Sequence, residues 1–380
     1  MFLTRLMVLS GLFVAFAING FSQDSLLFKG VFSAWANYNP DNQLSCYSGI
    51  RYIPTLDYSI RLNSTSLIDC EISADIYGDA GVHPFDSTHV EGKFQPYRMW
   101  VRYSTNQFEL RLGLQKINFG SATLFRPLMW FDQLDPRDPL QLTNGVWGLL
   151  GRYYFLNNAN IWVWGLYGNT QPLTWETGKT SNQYPELGGR IQTPVPKGEV
   201  ALSYHFREVD TTNLVTSPTV YNRIAENRIG IDGKWDLGVG LWTEGTWINK
   251  NRNVGMYTNQ ELLTCGTDYT FGIGNGLNVV FEHLLASYNE KAFHFANTIS
   301  FSGTSISYPI GIFDNVSAII YYDWTNRSLY NFATWKKQYN KIAFYLMAYW
   351  NPTNYQLPQQ SSSGTLFAGK GVQFMFVYNH

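Results

Sequence analysis

The stretch SLIDCEISADIY, Ser66 to Tyr77, sorts by parity. Ile68, Cys70, Ile72, Ala74 and Ile76 fall on one side, and Asp69, Glu71, Ser73 and Asp75 on the other. Successive side chains of an extended chain point to opposite faces, so this is a strand with one apolar and one acidic face. The same sorting recurs along the chain. FELRLGLQ sets Phe108, Leu110, Leu112 and Leu114 against Glu109, Arg111 and Gln115. EVALSYHFR sets Val200, Leu202, Tyr204 and Phe206 against Glu199, Ser203, His205 and Arg207. ENRIGIDGKW sets Ile229, Ile231 and Trp235 against Glu226, Arg228, Asp232 and Lys234, and GVQFMFVY gathers Val372, Phe374, Phe376 and Tyr378 on one face.

Soluble β-sandwiches also alternate, so the connections decide between architectures. NSTS from Asn63 is short and residues 78–95 are long; STN from Ser104 is short and the segment from Asn118 to about Asn144 is long. NNAN from Asn157 is short and residues 169–185 are long; VPKG from Val195 is short and residues 209–221 are long. Residues 351–367 form the last long connection. Tight turns at one end and long loops at the other are the pattern of an up-and-down transmembrane barrel. In hydrocarbon every backbone amide must be paired inside the protein, so a spanning sheet has to close on itself. The expected fold is an all-β, antiparallel transmembrane barrel of about 18 strands, with 16 as the alternative count and the number even because both ends lie on one side.

The composition agrees. Only 14% of the 380 residues are charged and 17% are aromatic, against roughly 25% charged in a soluble domain. The 13 Trp and 25 Tyr suit the two interfacial girdles of a membrane barrel. A net charge of -1 without a Lys/Arg run speaks against nucleic acid as a partner. Arg5, the apolar run Leu6 to Ala17, and the small residues Gly20 and Ser22 read as a signal peptide over residues 1–22, with 23–380 as one barrel domain. The alternative, a membrane anchor, is disfavoured because the apolar run is shorter than a spanning helix. Cys46, Cys70 and Cys265 suggest neither a disulfide framework nor a zinc site. No pair of the six histidines has metal-ligand spacing on one strand face, and none shows a serine partner. The expectation is therefore no metal, no cofactor and no enzyme.

The segment LRLGLQKINFGSATLFRPLMWFDQLDPRDPL, Leu110 to Leu140, begins as an alternating strand and ends as a loop that is both charged and apolar. A connection of this length without structure of its own is uncommon unless it has a task. Left in water, Leu124, Phe125, Leu128, Met129, Trp130, Phe131 and Leu134 would form an exposed apolar patch. The loop after the fifth strand, Gln107 to Ile117, is thus expected to fold into the lumen, with a cap over the rim as the alternative. Its polar residues Arg126, Asp132, Asp135, Arg137 and Asp138 would then stand at the pore constriction. Parity assigns Arg98, Arg102, Arg111, Arg152 and Glu109 to the lumen, with Lys116 beside them where the loop begins. The loop's aspartates facing these cations would set up a field across the opening.

The run from Arg111 to Pro139 resembles the porin superfamily of Gram-negative outer membranes, in its phosphate-selective-porin-like and alginate-export-like branches. Gly113, Gln115, Gly120, Asp135 and Pro136 are the matching positions. The resemblance implies an outer-membrane, porin-like channel for passive diffusion of small polar or anionic solutes, set in outer-membrane lipid and assembled as a homotrimer. Since the chain ends Tyr-Asn-His, Phe374, Phe376 and Tyr378 would carry the insertion signal. The rival reading is a non-conducting outer-membrane barrel acting as adhesin, receptor or structural surface protein.

Overall fold

The computed structural model describes residues 25–82, 88–212, 214, 221–354, 357 and 364–380, so the expected signal peptide lies outside the described residues. The strands are β1 (Ser25–Tyr38), β2 (Cys46–Arg61), β3 (Leu67–Val82), β4 (Thr88–Ser104), β5 (Phe108–Gln115), β6 (Val146–Tyr154), β7 (Asn160–Leu166), β8 (Lys179–Thr180), β9 (Glu186–Val195) and β10 (Gly198–Asp210). They continue as β11 (Ile224–Asp236), β12 (Gly240–Lys250), β13 (Asn259–Phe271), β14 (Leu277–Asn289), β15 (Thr298–Pro309), β16 (Asp314–Asp323), β17 (Ser328–Gln338), β18 (Ile342–Trp350) and β19 (Lys370–Asn379). β8 is only a two-residue addition to the end of β10. The other eighteen pair antiparallel with their neighbours in the ring. β1 closes the ring by pairing with both β2 and β19, from Val31↔Asn379 to Tyr38↔Val372. Among the described residues no helix is long and apolar enough to cross a membrane.

The two faces follow the parity of the sequence. Leu112, Leu202, Ile231, Phe281 and Phe374 stand exposed on the outside, while Asp75, Arg98, Glu109, Arg207, Glu226 and Glu282 are buried inside. Two expectations need correction. Residues 78–95 are not a long loop, because β3 runs on to Val82 and β4 starts at Thr88 opposite it. Gly78 and Gly92 look like breakers but face each other, and the ladder passes through them because each strand satisfies the other's backbone. Opposite the step from Ser73 to Ala74 the register shifts by one and leaves Tyr97 unpaired, next to Pro96, which has no amide to give to a regular ladder. The inner wall is also not polar throughout. Val146, Leu150, Trp164 and Leu166 form one apolar patch on β6 and β7, and Leu262, Leu284, Phe301, Tyr321, Tyr330, Phe332 and Tyr349 form another from β13 to β18. Both patches are covered by other parts of the chain.

Candidate functional site

The larger cover is the connection between β5 and β6, residues 116–145. Gly120 has φ of 98°, a left-handed backbone where a Cβ would also strike the Glu244 carboxylate. Past this bend the backbone amides meet two carboxylates from the wall. Glu282 on β14 accepts hydrogen bonds from the amides of Thr123 (2.6 Å), Leu124 (2.9 Å) and Phe125 (2.6 Å), and from Thr123 Oγ1 (3.0 Å). Glu244 on β12 accepts from the amides of Ala122 (3.0 Å) and Leu128 (2.6 Å). Several loop amides converge on each carboxyl group, where a buried donor without a partner would be costly, so these two side chains act as brackets for the loop. The side chains between them fill the apolar patches. Leu124, Phe125 and Met129 join the β13–β18 cluster, and Phe119, Leu128, Trp130 and Phe131 join the β6–β7 cluster. Leu140 packs against a third cluster, Ala343, Tyr345, Met375 and Val377, on β18 and β19.

The five charged loop residues are placed as follows. Arg126 pairs with Asp132 at 3.2 Å, both buried, and also donates to Asn118 and the Phe119 carbonyl. Arg137 pairs with Asp135 at 2.7 Å and lies over Phe332. Asp138 accepts from the amides of Leu140 (3.0 Å) and Leu142 (3.1 Å). Burial pushes the Asp138 carboxyl above its ordinary range, against the pull of those two amides. Asp132 and Asp135 are therefore paired first with the loop's own arginines, and Asp132 also acts at longer range on Arg98 and Lys116. The motif glycine Gly113 has φ of 125°, and Gln115 ties the end of β5 to β6 by donating to the Gly148 carbonyl at 2.9 Å.

On the wall, Arg102, Arg111 and Arg152 converge on Glu109, at 3.7, 2.9 and 3.7 Å. Arg102 also holds Asp69 with two bonds of 2.9 and 2.7 Å. Arg111 lies over Trp100 and Arg152 over Trp162. Arg98 stands apart from this trio. It donates to the carbonyl (2.9 Å) and hydroxyl (2.7 Å) of Thr143 and so fastens the far end of the loop. Lys116 is half-buried where the loop begins.

Sequence reasoning missed a second inward segment, within residues 167–185. Trp175 is buried in the β13–β18 cluster and donates to the Arg126 carbonyl at 2.7 Å, so one loop rests on the other. Glu176 sits between Arg207 (3.1 Å) and Arg228 (2.6 Å). Both arginines also bind Glu226, at 2.6 and 2.9 Å, and Lys250 joins at 3.1 Å. Lys250 donates to Thr177 Oγ1 as well (2.7 Å). The same wall carries Arg190 paired with Asp232 at 2.6 Å, and His205 bridging Glu186 and Trp164 at 3.1 Å each. A tryptophan beside a glutamate in a polar loop was the available signal; its partners lie on three different strands and could not be read from spacing. One histidine does have serine neighbours, contrary to expectation: His283 contacts Ser302 Oγ at 2.9 Å and Ser300 Oγ at 3.2 Å, on the outer face. No carboxylate completes a triad in those contacts.

A closed antiparallel ring with charged side chains and inward loops defines a porin-type barrel. No family model matches the sequence, and no curated relative matches it. Solved structures do. The fold is similar to OmpF of Salmonella typhi, determined in complex with daunomycin, over 93% of this chain and 97% of that one, at 11% identity and a TM-score of 0.52. It is also similar to OccAB4 of Acinetobacter baumannii, over 94% and 98% of the two chains, at 9% identity and a TM-score of 0.55. The likeness is one of fold: this chain has the barrel of Gram-negative outer-membrane porins, as the resemblance in its sequence implied.

Proposed function

We propose that the protein is an outer-membrane channel through which small polar or anionic solutes diffuse passively, along the β2–β6 side of the lumen. One observation carries this reading: the inner charges differ in exposure around the ring. The side chains of Arg207, Arg228, Lys250 and Glu226 are at most 1% exposed, whereas Arg51 is 23% and Arg102 28% exposed. Water reaches the β2–β6 wall and is shut out from the part of the β10–β12 wall that carries Arg207, Glu226, Arg228 and Lys250 by the two loops. The accessible wall carries Arg51, Arg102 and Asp69, with Arg111, Arg152 and Lys116 half-buried beside them and Arg98, Asp75 and Glu109 buried behind, a mixture that suits polar solutes and leans toward anions. Arg126, Asp132, Asp135 and Arg137 shape the constriction by holding the loop's form, while Asp138 contributes charge to it. Export through the signal peptide and assembly as a homotrimer belong to the same proposal; the native mass in detergent measures the latter.

The density of packing inside favours the second reading, a non-conducting surface barrel. Single-channel recording in a planar bilayer separates the two. A stable open conductance is expected, and silence over many insertions would leave the surface-protein reading standing.

The selectivity should depend on pH. Because burial raises the Asp138 carboxyl, it takes up its proton at a higher pH than an ordinary aspartate does. Acidification thus removes this negative charge early, and anion preference should rise as the pH falls through that window. Reversal potentials in a salt gradient should show the rise, and Asp138→Asn should abolish it. A pH response that survives this substitution assigns the effect to another carboxylate.

A further inference from the structure

The short turns of this barrel carry large apolar side chains at their tips. Ile273 stands in the turn from β13 to β14, Ile310, Ile312 and Phe313 in the turn from β15 to β16, and Tyr339 in the turn from β17 to β18. All are exposed, Ile312 at 95%. Leu237 and Val239 hold the same position after β11, and Phe155 and Leu156 after β6, with Leu156 at 91%. Turns that face water are built from polar residues and glycine, and an exposed apolar patch marks a surface that meets something other than water.

The first three turns form one surface. The Asn275 side-chain amide donates to the carbonyls of Pro309 and Ile310 at 3.0 Å each, which ties the first turn to the second. The Gln338 amide donates to the Phe313 carbonyl at 2.7 Å, and the rings of Phe313 and Tyr339 stack at 5.9 Å, which ties the second to the third. The surface then runs without interruption into the outer wall. Tyr339 meets Phe344 at 6.5 Å, and Phe344 meets Phe374 and Phe376 at 6.2 and 5.4 Å. Asp314 at this height is tied to neighbours: it accepts from Trp335 Nε1 at 3.2 Å and pairs with Lys337 at 3.7 Å.

We propose that these turn tips are seated in the headgroup–acyl boundary of the leaflet at the short-turn end, so that lipid contacts the turns as well as the strands. Continuity with the lipid-facing wall identifies lipid as the occupant, and isoleucine, phenylalanine and tyrosine are the side chains that suit this boundary. The proposal rests on the reading of the chain as a membrane barrel, and its test separates the two.

The full barrel, with Cys46→Ser, Cys70→Ser and Cys265→Ser, takes Ile312→Cys for labelling with bimane. A parallel sample carries Leu285→Cys, on the outer wall within β14. Both are reconstituted into phosphatidylcholine–phosphatidylglycerol vesicles, with and without lipid bearing a nitroxide high on its acyl chain. The expected result is that the nitroxide lipid quenches the label at 312 several-fold more than aqueous iodide does. Full quenching by iodide and none by lipid at 312, with lipid quenching at 285, overturns the rim proposal alone. A label at 312 shielded from both also overturns it and indicates a protein cover. No lipid quenching at either position overturns the membrane reading and the rim with it. Should Ile312→Cys fail to fold, Ile273→Cys probes the neighbouring turn in the same way.

Discussion

Glu282→Gln is expected to loosen the inward loop, lower the stability of the barrel and turn a steady current into a larger, noisier one. The Glu282 carboxylate is fully buried and takes four hydrogen bonds from residues Thr123 to Phe125, with a fifth from Trp242 Nε1 at 2.9 Å. All five partners are donors. Glutamine keeps the shape but turns an NH2 group toward them, so at least one amide is stranded and another repelled. A hydrogen bond to a charged group contributes about 1.5–3 kcal/mol, and a stranded buried donor costs roughly 1–3 kcal/mol. Several are lost together and they are not independent, so a fall of about 3–5 kcal/mol is the reasonable scale. Denaturant unfolding in detergent measures the first effect and single-channel recording the second. Glu244→Gln should do less, since it accepts from two loop amides. Unchanged stability and current in Glu282→Gln would mean that apolar packing alone holds the loop.

The second large effect is expected at Glu226. Its two oxygens face Arg207, Arg228 and Lys250, all closed off from water. Glu226→Gln leaves three buried cations: Arg207 and Arg228 keep Glu176, while Lys250 keeps only the Thr177 hydroxyl and the Tyr257 carbonyl among its described partners. Breaking a buried ion pair by removing one partner costs about 3–5 kcal/mol, because the charge left behind cannot be solvated. The structure adds a directional check: Lys250→Met in the same chain removes one stranded cation and should restore part of the loss. A double variant no better than Glu226→Gln alone would show that the cations were not the source of the damage.

The strands were legible because one physical rule fixed them. Where Asp69, Glu71, Ser73 and Asp75 alternate with Ile68, Cys70 and Ile72, lipid on one side and water on the other leave one arrangement. The rule weakened where protein, and not water, covers the inner face. β19 reads KGVQFMFVYN, and its inner side chains Met375 and Val377 are as apolar as its outer Phe374 and Phe376. Apolar residues on both parities were the sign that something inside the ring packs against them, and the interior expected to be polar was therefore partly filled. The loop after β5 could be singled out from its own composition. Glu244 and Glu282, which hold it, could not, because an inward glutamate on a strand looks the same whether it meets water or backbone amides. Glu176 was hidden for the same reason: its partners, Arg207 and Arg228, are neighbours only once β10 and β11 are side by side.

The seam between β1 and β19 has a mechanical consequence. Because Val31 lies opposite Asn379, each of the eighteen staves of the ring is gripped on both flanks where it crosses the belt. An ordinary sheet frays from an outermost strand, where one row of hydrogen bonds is enough to lose, and offers that strand to foreign chains. Within the closed belt a hoop gives neither opportunity: the first stave to leave must tear two rows at once, and the edge still open to another polypeptide is confined to stretches that outrun a neighbour, such as residues 88–98 of β4 beyond the end of β5.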